Sequence, residues 1–177
     1  MVKLGLIIGM AANLFYFAGY LMKKRNMIIA FNATSRILYV LQYFVLGAFS
    51  GVGLEITGVT ATLIAGKKNN PFVLKNLKYI VPCVILMHLT VGLLLCDSVF
   101  GFFPIVGVIL HTGSFFLDNE KYIRILSIFG QPCWLVYNYI SQAYSSVLGD
   151  VIAIVSMAIA IFTYDVLPCI KARKNRG

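Results

Sequence analysis

Charge is what this chain has least of. Its 177 residues include 15 basic and only six acidic side chains, 12% charged in all, where a soluble domain carries about 25%. That shortage excludes an ordinary soluble enzyme, a disordered chain and a basic nucleic-acid-binding domain. Cysteine is sparse too. Cys83, Cys96, Cys133 and Cys169 are scattered through apolar sequence with no CxxC or Cys/His spacing. A disulfide scaffold is thereby excluded, and nothing points to a zinc or redox centre. No Ser/His/Asp order, phosphate-binding glycine loop or metal-ligand spacing occurs either, so the expectation is not an enzyme, with no cofactor and no metal.

What the chain has instead is apolar sequence, 60% of it, with a mean hydropathy of +0.88. Seven apolar stretches can be read, at 4–22, 27–48, 53–66, 78–96, 101–117, 122–142 and 150–167. A helix rises about 1.5 Å per residue, so roughly 17–25 residues cross a hydrocarbon core of about 30 Å. The third stretch is long enough only if it begins near Ser50. Strand alternation is absent, which disfavours a barrel. The expected fold class is therefore an all-α membrane protein with seven transmembrane helices.

The distribution of charge tests that count. Seven spans put the chain ends on opposite sides. One side then holds Lys23, Lys24 and Arg25; Lys67, Lys68, Lys75 and Lys78; Lys121 and Arg124; and Lys171, Arg173, Lys174 and Arg176, which is 13 of the 15 basic residues. The other side has Lys3 alone, while Arg36 falls inside a span. Positive loops stay cytoplasmic, so the N-terminus is expected outside and the C-terminus inside. The first span is too long for a signal-peptide core and is followed by Lys23-Lys24-Arg25 rather than a cleavage site.

Sliding the chain on itself by 95 residues places segment 37–56 (ILYVLQYFVLGAFSGVGLEI) on segment 132–151 (PCWLVYNYISQAYSSVLGDV). Tyr39 meets Trp134, Phe49 meets Tyr144, Ser50 meets Ser145, Val52 meets Val147, Glu55 meets Asp150, and Arg36 meets Gln131. The turn 23–25 meets Asp118-Asn119-Glu120. The shift carries four spans, so the two triplets keep one orientation only if a linker span separates them, giving 3+1+3. Residues 1–70 form the first three-helix repeat, 71–98 the linker helix, 99–170 the second repeat and 171–177 a basic cytoplasmic tail. Parallel triplets about an axis along the membrane normal are a transporter plan with its site between the halves.

This plan resembles the SWEET and PQ-loop group, and within it the chain looks most like the YgjV-type bacterial inner-membrane proteins. The residues that carry the likeness are Leu46-Gly47-Ala48-Phe49-Ser50-Gly51, Phe103-Pro104-Ile105-Val106-Gly107 and Trp134-Leu135-Val136-Tyr137-Asn138, and it covers nearly the whole chain. It implies a multi-pass protein of the bacterial inner membrane. SWEETs carry sugars and a fold relative carries nicotinamide riboside, but likeness of fold assigns neither substrate. SWEET-type pockets pair a Trp in the second helix of a triplet with an Asn in the third. That separation matches Trp134 to Asp150 and Tyr39 to Glu55, with carboxylates where the resemblance implies asparagines. The departure argues against a neutral sugar. The family's hinge prolines match Pro104 and Pro132 in the second repeat, while Gly9 and Ile37 stand at the first-repeat positions and Gly9 eases bending there.

The acidic residues are Glu55, Asp97, Asp118, Glu120, Asp150 and Asp165. Four are expected at span ends or in loops, solvated by water. Glu55 and Asp150 fall inside spans, where a carboxylate costs about 2.5–3.5 kcal/mol and faces a cavity or a partner, unless both are near enough to the outer interface to be hydrated. Arg36 either pairs with Glu55 and tunes its charge or snorkels to the cytoplasmic surface. Asp150 without a basic partner would accept a proton or a cationic group. Trp134 either stacks on a solute or packs, and the helical neighbours Tyr39, Tyr43, Tyr137 and Asn138 line a pocket or a helix seam. His88 reads as structural, His111 as a buried group able to titrate near neutral pH, and Gly5, Gly9, Gly19 and Gly58 as points of close helix approach.

The expected function is a small-solute transporter or facilitator working by alternating access. Its substrate-binding residues would be Tyr39, Glu55, Trp134, Asn138 and Asp150. Arg36 would tune charge, and Gly9, Pro104 and Pro132 would serve as hinges. The solute would be polar, and cationic or proton-coupled in preference to a neutral sugar. The alternative is a non-transporting membrane scaffold or accessory protein. Expected partners are the lipid bilayer and that solute, with no nucleic acid, and homo-oligomerisation is left open.

Overall fold

The computed structural model describes residues 2–21, 25–96, 98–117, 120–168 and 170. Lys23, Lys24, Asp97, Asp118, Asn119, Cys169 and the tail 171–177 lie outside the described residues, as do the side chains of Arg25 and Glu120. Among the described residues there are seven α-helices and no strand: α1 Val2–Leu21, α2 Arg25–Leu46, α3 Phe49–Gly66, α4 Pro71–Leu94, α5 Phe102–Ser114, α6 Glu120–Ile140 and α7 Tyr144–Ile161. A 3₁₀ turn, Val99–Gly101, leads into α5, and a π-helical turn, Phe162–Val166, continues α7.

Helix ends reach beyond the apolar runs. α3 begins at Phe49, beside the Ser50 that the length argument required. α7 begins at Tyr144 and α4 at Pro71, six and seven residues earlier than the apolar stretches alone indicated. The start of α4 is set by local chemistry. Asn70 Oδ1 accepts the Phe72 N–H at 2.9 Å, and Pro71 at the first helical position gives up an N–H that would have had no partner there.

Four stretches are long and apolar enough to cross a membrane: Ile29–Leu46, Phe49–Gly66, Pro71–Leu94 and Tyr144–Val166. Val2–Ala18 and Val99–Ser114 are shorter apolar helices. α6 falls in neither group; it starts with the charged residues Glu120, Lys121 and Arg124 and carries Ser127, Gln131 and Asn138 further along. The last three side chains are buried, so that part of its polarity is turned inward.

That inversion holds for the whole molecule. Arg36, Gln42, Glu55, His88, Asn138 and Asp150 are buried, while Leu14, Phe72 and Leu94 are 71%, 72% and 78% exposed. A water-soluble fold places such residues the other way round. An apolar exterior around a hydrogen-bonded polar interior is what a bilayer demands.

Each helix packs on its neighbours in sequence, with α1 also against α7 and α3 against α5. The centre is an apolar cluster of Tyr43, Leu54, Ile105, Val108, Trp134 and Tyr137. The 95-residue offset reappears in the backbone. α7 occupies the residues of α3 shifted by 95, and α6 those of α2 to within one residue. The tight turns between them correspond as well. Gly47 and Gln142 have φ of +73° and +58°. The N–H groups of Ala48 and Ala143 donate to the carbonyls of Tyr43 and Asn138, each at 2.9 Å.

One expectation changes. Asp165 is not merely solvated. Arg124 Nε and Nη2 grip its carboxylate in a two-pronged pair at 3.0 and 2.9 Å, tying the end of α7 to the start of α6. Pro104 is the third residue of α5, where the missing N–H costs the helix nothing. Pro132 does lie inside α6, where it removes a helix hydrogen bond.

Candidate functional site

α2 and α3 bring the first charged pair together. Arg36, twelfth in α2, and Glu55, seventh in α3, cross where the helices pack, and Arg36 Nη1 donates to Glu55 Oε2 at 2.8 Å. Both residues are buried, at 6% and 5% exposure. Arg36 therefore pairs inside instead of snorkelling. Asn32 Oδ1, one turn back, accepts from Arg36 Nε at 3.2 Å, and Gly58 leaves the room, since a β-carbon there would lie 2.5 Å from Arg36 Nη1.

The equivalent place in α6 and α7 is built differently. Gln131 Nε2 donates to Asp150 Oδ1, and Asn138 Nδ2 to Asp150 Oδ2, both at 2.7 Å. Asn138 Oδ1 accepts from the Tyr43 hydroxyl, so its amide cannot turn round without losing two bonds. Asn138, expected to bind solute, also holds Asp150 by this hydrogen bond. Asp150 is 7% exposed and sits about 9 Å along the helix from its first residue at 1.5 Å per residue. Its hydrogen-bond partners are neutral amides.

The two acids face one cavity, of about 50 Å³, lined by both halves of the molecule. It has room for a few water molecules and is too small for a sugar in this conformation. The aromatic residues on its wall form a row. Tyr39 stacks on Tyr43 with ring centroids 6.5 Å apart, and Tyr43 on Trp134 at 6.2 Å. Tyr39, Glu55, Trp134, Asn138, Asp150 and Arg36 all line the cavity. Gly9, Pro104 and Pro132 do not line it. Pro132 is exposed, and a β-carbon at Gly9 would meet the Gln42 side chain at 2.5 Å.

Sequence reasoning passed over several polar residues. Tyr39 OH donates to Asn13 Oδ1 at 2.6 Å, and Asn13 Nδ2 to the Ser145 carbonyl at 2.7 Å, joining α1, α2 and α7. A hydrogen-bonded layer lies towards the α2–α3 and α6–α7 turns. Gln42 Nε2 donates to Ser145 Oγ at 3.0 Å and Ser146 Oγ to Gln42 Oε1 at 2.8 Å. Shifted by 95 residues, the same contacts recur. The Tyr137 hydroxyl bonds Ser50 Oγ and accepts from the Gly51 N–H, each at 2.8 Å. The repeat register could have disclosed this pair, because it sets Gln42 on Tyr137. Asn13 faces Val108 in that register and left no such signal.

The histidines separate. His88 is fully buried, with Nδ1 2.6 Å from Thr57 Oγ1 and Nε2 2.9 Å from Thr112 Oγ1, a staple across α3, α4 and α5. His111 lines the cavity, its Nδ1 buried without a hydrogen-bond partner. Of the described Lys, Arg, Asp and Glu side chains, the cavity wall carries Arg36 against Glu55 and Asp150. No group of residues able to hold a metal ion occurs among the described residues.

Comparison with curated proteins and with solved structures finds no match, so no SWEET or PQ-loop relative stands beside the chain. A family model described as a bacterial inner membrane protein does match, over residues 3–166. With that match, and with an interior of hydrogen-bonded polar groups inside an apolar shell, the chain belongs to the Imp-YgjV family of bacterial inner membrane proteins.

Proposed function

We propose that the protein is a small-solute transporter or facilitator built on the 3+1+3 plan, a relative of the SWEET and PQ-loop group. Its α1–α3 and α5–α7 triplets would rock about the central cavity, with α4 as linker, the N-terminus outside and the C-terminus cytoplasmic. All seven helices would span the bilayer. α1 and α5 are apolar but shorter, and α6 would do so because its neighbours cover its polar face.

The observation that carries the reading is the uneven charge of the cavity. Arg36 neutralises Glu55, and Asp150 has only amide donors. A carboxylate taken out of water without a countercharge is costly, and a solute cation or a proton supplies what is missing. A neutral sugar supplies neither. The hydrogen-bonded layer formed by Gln42, Tyr137 and the serines would close the outer side in this state.

The test is solute flux into liposomes, comparing wild type with Asp150→Asn, an isosteric change that leaves Arg36–Glu55 intact. Uptake of a cationic solute or of protons is expected from wild type and at least tenfold less from the variant. Equal flux in both sinks the reading.

The small size of the cavity favours a second reading, a non-transporting scaffold whose polar interior only holds helices together. Cysteines at positions 39, 55, 134 and 150 distinguish the two. Labelling from water fits a cavity that opens, and protection in every state fits the scaffold.

A further inference from the structure

The two halves give the same acidic position opposite treatments, and the difference extends over two further positions. In the first half Arg36 reaches Glu55, and Gly58 supplies the space for its guanidinium. At the equivalent places the second half has Gln131 and Ala153, both 6% exposed. The cation is replaced by a neutral amide and the glycine by a methyl group. Among the described residues, Asp150 keeps hydrogen-bond donors that hold its geometry and makes no ion pair. Each carboxylate oxygen accepts one amide N–H and retains a further lone pair.

We propose that Asp150 is the binding group for an N–H-bearing organic monocation, an alkylammonium or guanidinium, and that Gln131 and Ala153 are the residues that keep it vacant. The proposal rests on the transporter reading and names its substrate class. Arg36 serves as an internal template, since the first half permanently carries on Glu55 the kind of group the second half takes from solution. Tyr43 and Trp134 line the same cavity as the acids, and an aromatic lining favours a cation over a neutral isostere.

The decisive variant transplants the first half's solution into the second: Gln131→Arg with Ala153→Gly. Thermal stability and calorimetric titration in detergent would use methylammonium, methylguanidinium and, as the neutral isostere, methylurea. Wild type is expected to bind one of the two cations with a stoichiometry of one, and methylurea at least tenfold more weakly. In Gln131→Arg/Ala153→Gly the tethered guanidinium occupies Asp150, and cation affinity falls at least tenfold. An affinity unchanged by the transplant overturns the proposal, as does equal binding of methylurea by wild type.

Should the transplant not fold, Arg36→Gln gives the converse. Vacating Glu55 opens a second site, and the stoichiometry rises from one to two. A stoichiometry remaining at one overturns the proposal. Binding without flux in liposomes upholds the cation site and defeats transport. Cation flux that the transplant leaves unaltered defeats the cation site while transport stands.

Discussion

Arg36 and Glu55 form a pair whose value to the fold lies mostly in what its loss would expose. An isolated charge in a low-dielectric interior costs far more than a well-made pair returns, and removing one partner of a buried ion pair typically costs about 3–5 kcal/mol. Glu55→Gln is therefore expected to lower the melting temperature in detergent far more than Asp150→Asn, which leaves no charge behind. The double change Arg36→Gln/Glu55→Gln should recover much of the loss. A double variant as unstable as the sum of its single changes would show that the two side chains do not act as a pair. The sequence marked both positions as unusual by placing charge in apolar surroundings. Whether Arg36 turned inward or towards the surface depended on α2 and α3 crossing at that level, which no local pattern encodes.

At the scale of elements, the two tight turns carry the repeat in their backbones. Gly47 and Gln142 both adopt the left-handed region, which costs a residue with a β-carbon about 1–2 kcal/mol. Only the first half relieves that cost with glycine. Gln142→Gly is expected to stabilise the protein by up to about 1 kcal/mol, and Gly47→Ala to destabilise it by a similar amount, both read from melting curves. A destabilised Gln142→Gly would mean that the glutamine side chain makes a contact worth more than the backbone strain. Helix identity was legible from apolar runs, and Glu55 and Asp150 were paired by the register alone. The starts of α4 and α7 were not legible, because both begin in mixed sequence where caps and turns decide. Tyr137 was read only as pocket or seam, and Gln42 was missed for a related reason. An isolated Gln in a span looks like dilution until the opposite helix supplies its serines.

For the whole molecule, the sidedness of its basic residues and the inversion of its surface make one physical statement about a bilayer. A cysteine at Ser98, in the α4–α5 connection, is expected to react with an impermeant maleimide on intact cells. A cysteine at Lys121, at the start of α6, should react only after permeabilisation. The reverse pattern would sink the proposed orientation. Labelling of both on intact cells would break the seven-span plan.

Membrane residence, helical class and the 95-residue kinship of the two halves were determined by the sequence alone. Each depends on composition or periodicity, which survive without knowledge of contacts. Tertiary structure decided which acid is neutralised. Glu55 and Asp150 are equivalents along the chain and differ only in what crosses them, a guanidinium from α2 in one case and amides from α6 in the other. Charge balance in a buried cavity is a property of side chains brought together from separate helices, and the packing of those helices is what sets amides rather than a guanidinium against Asp150.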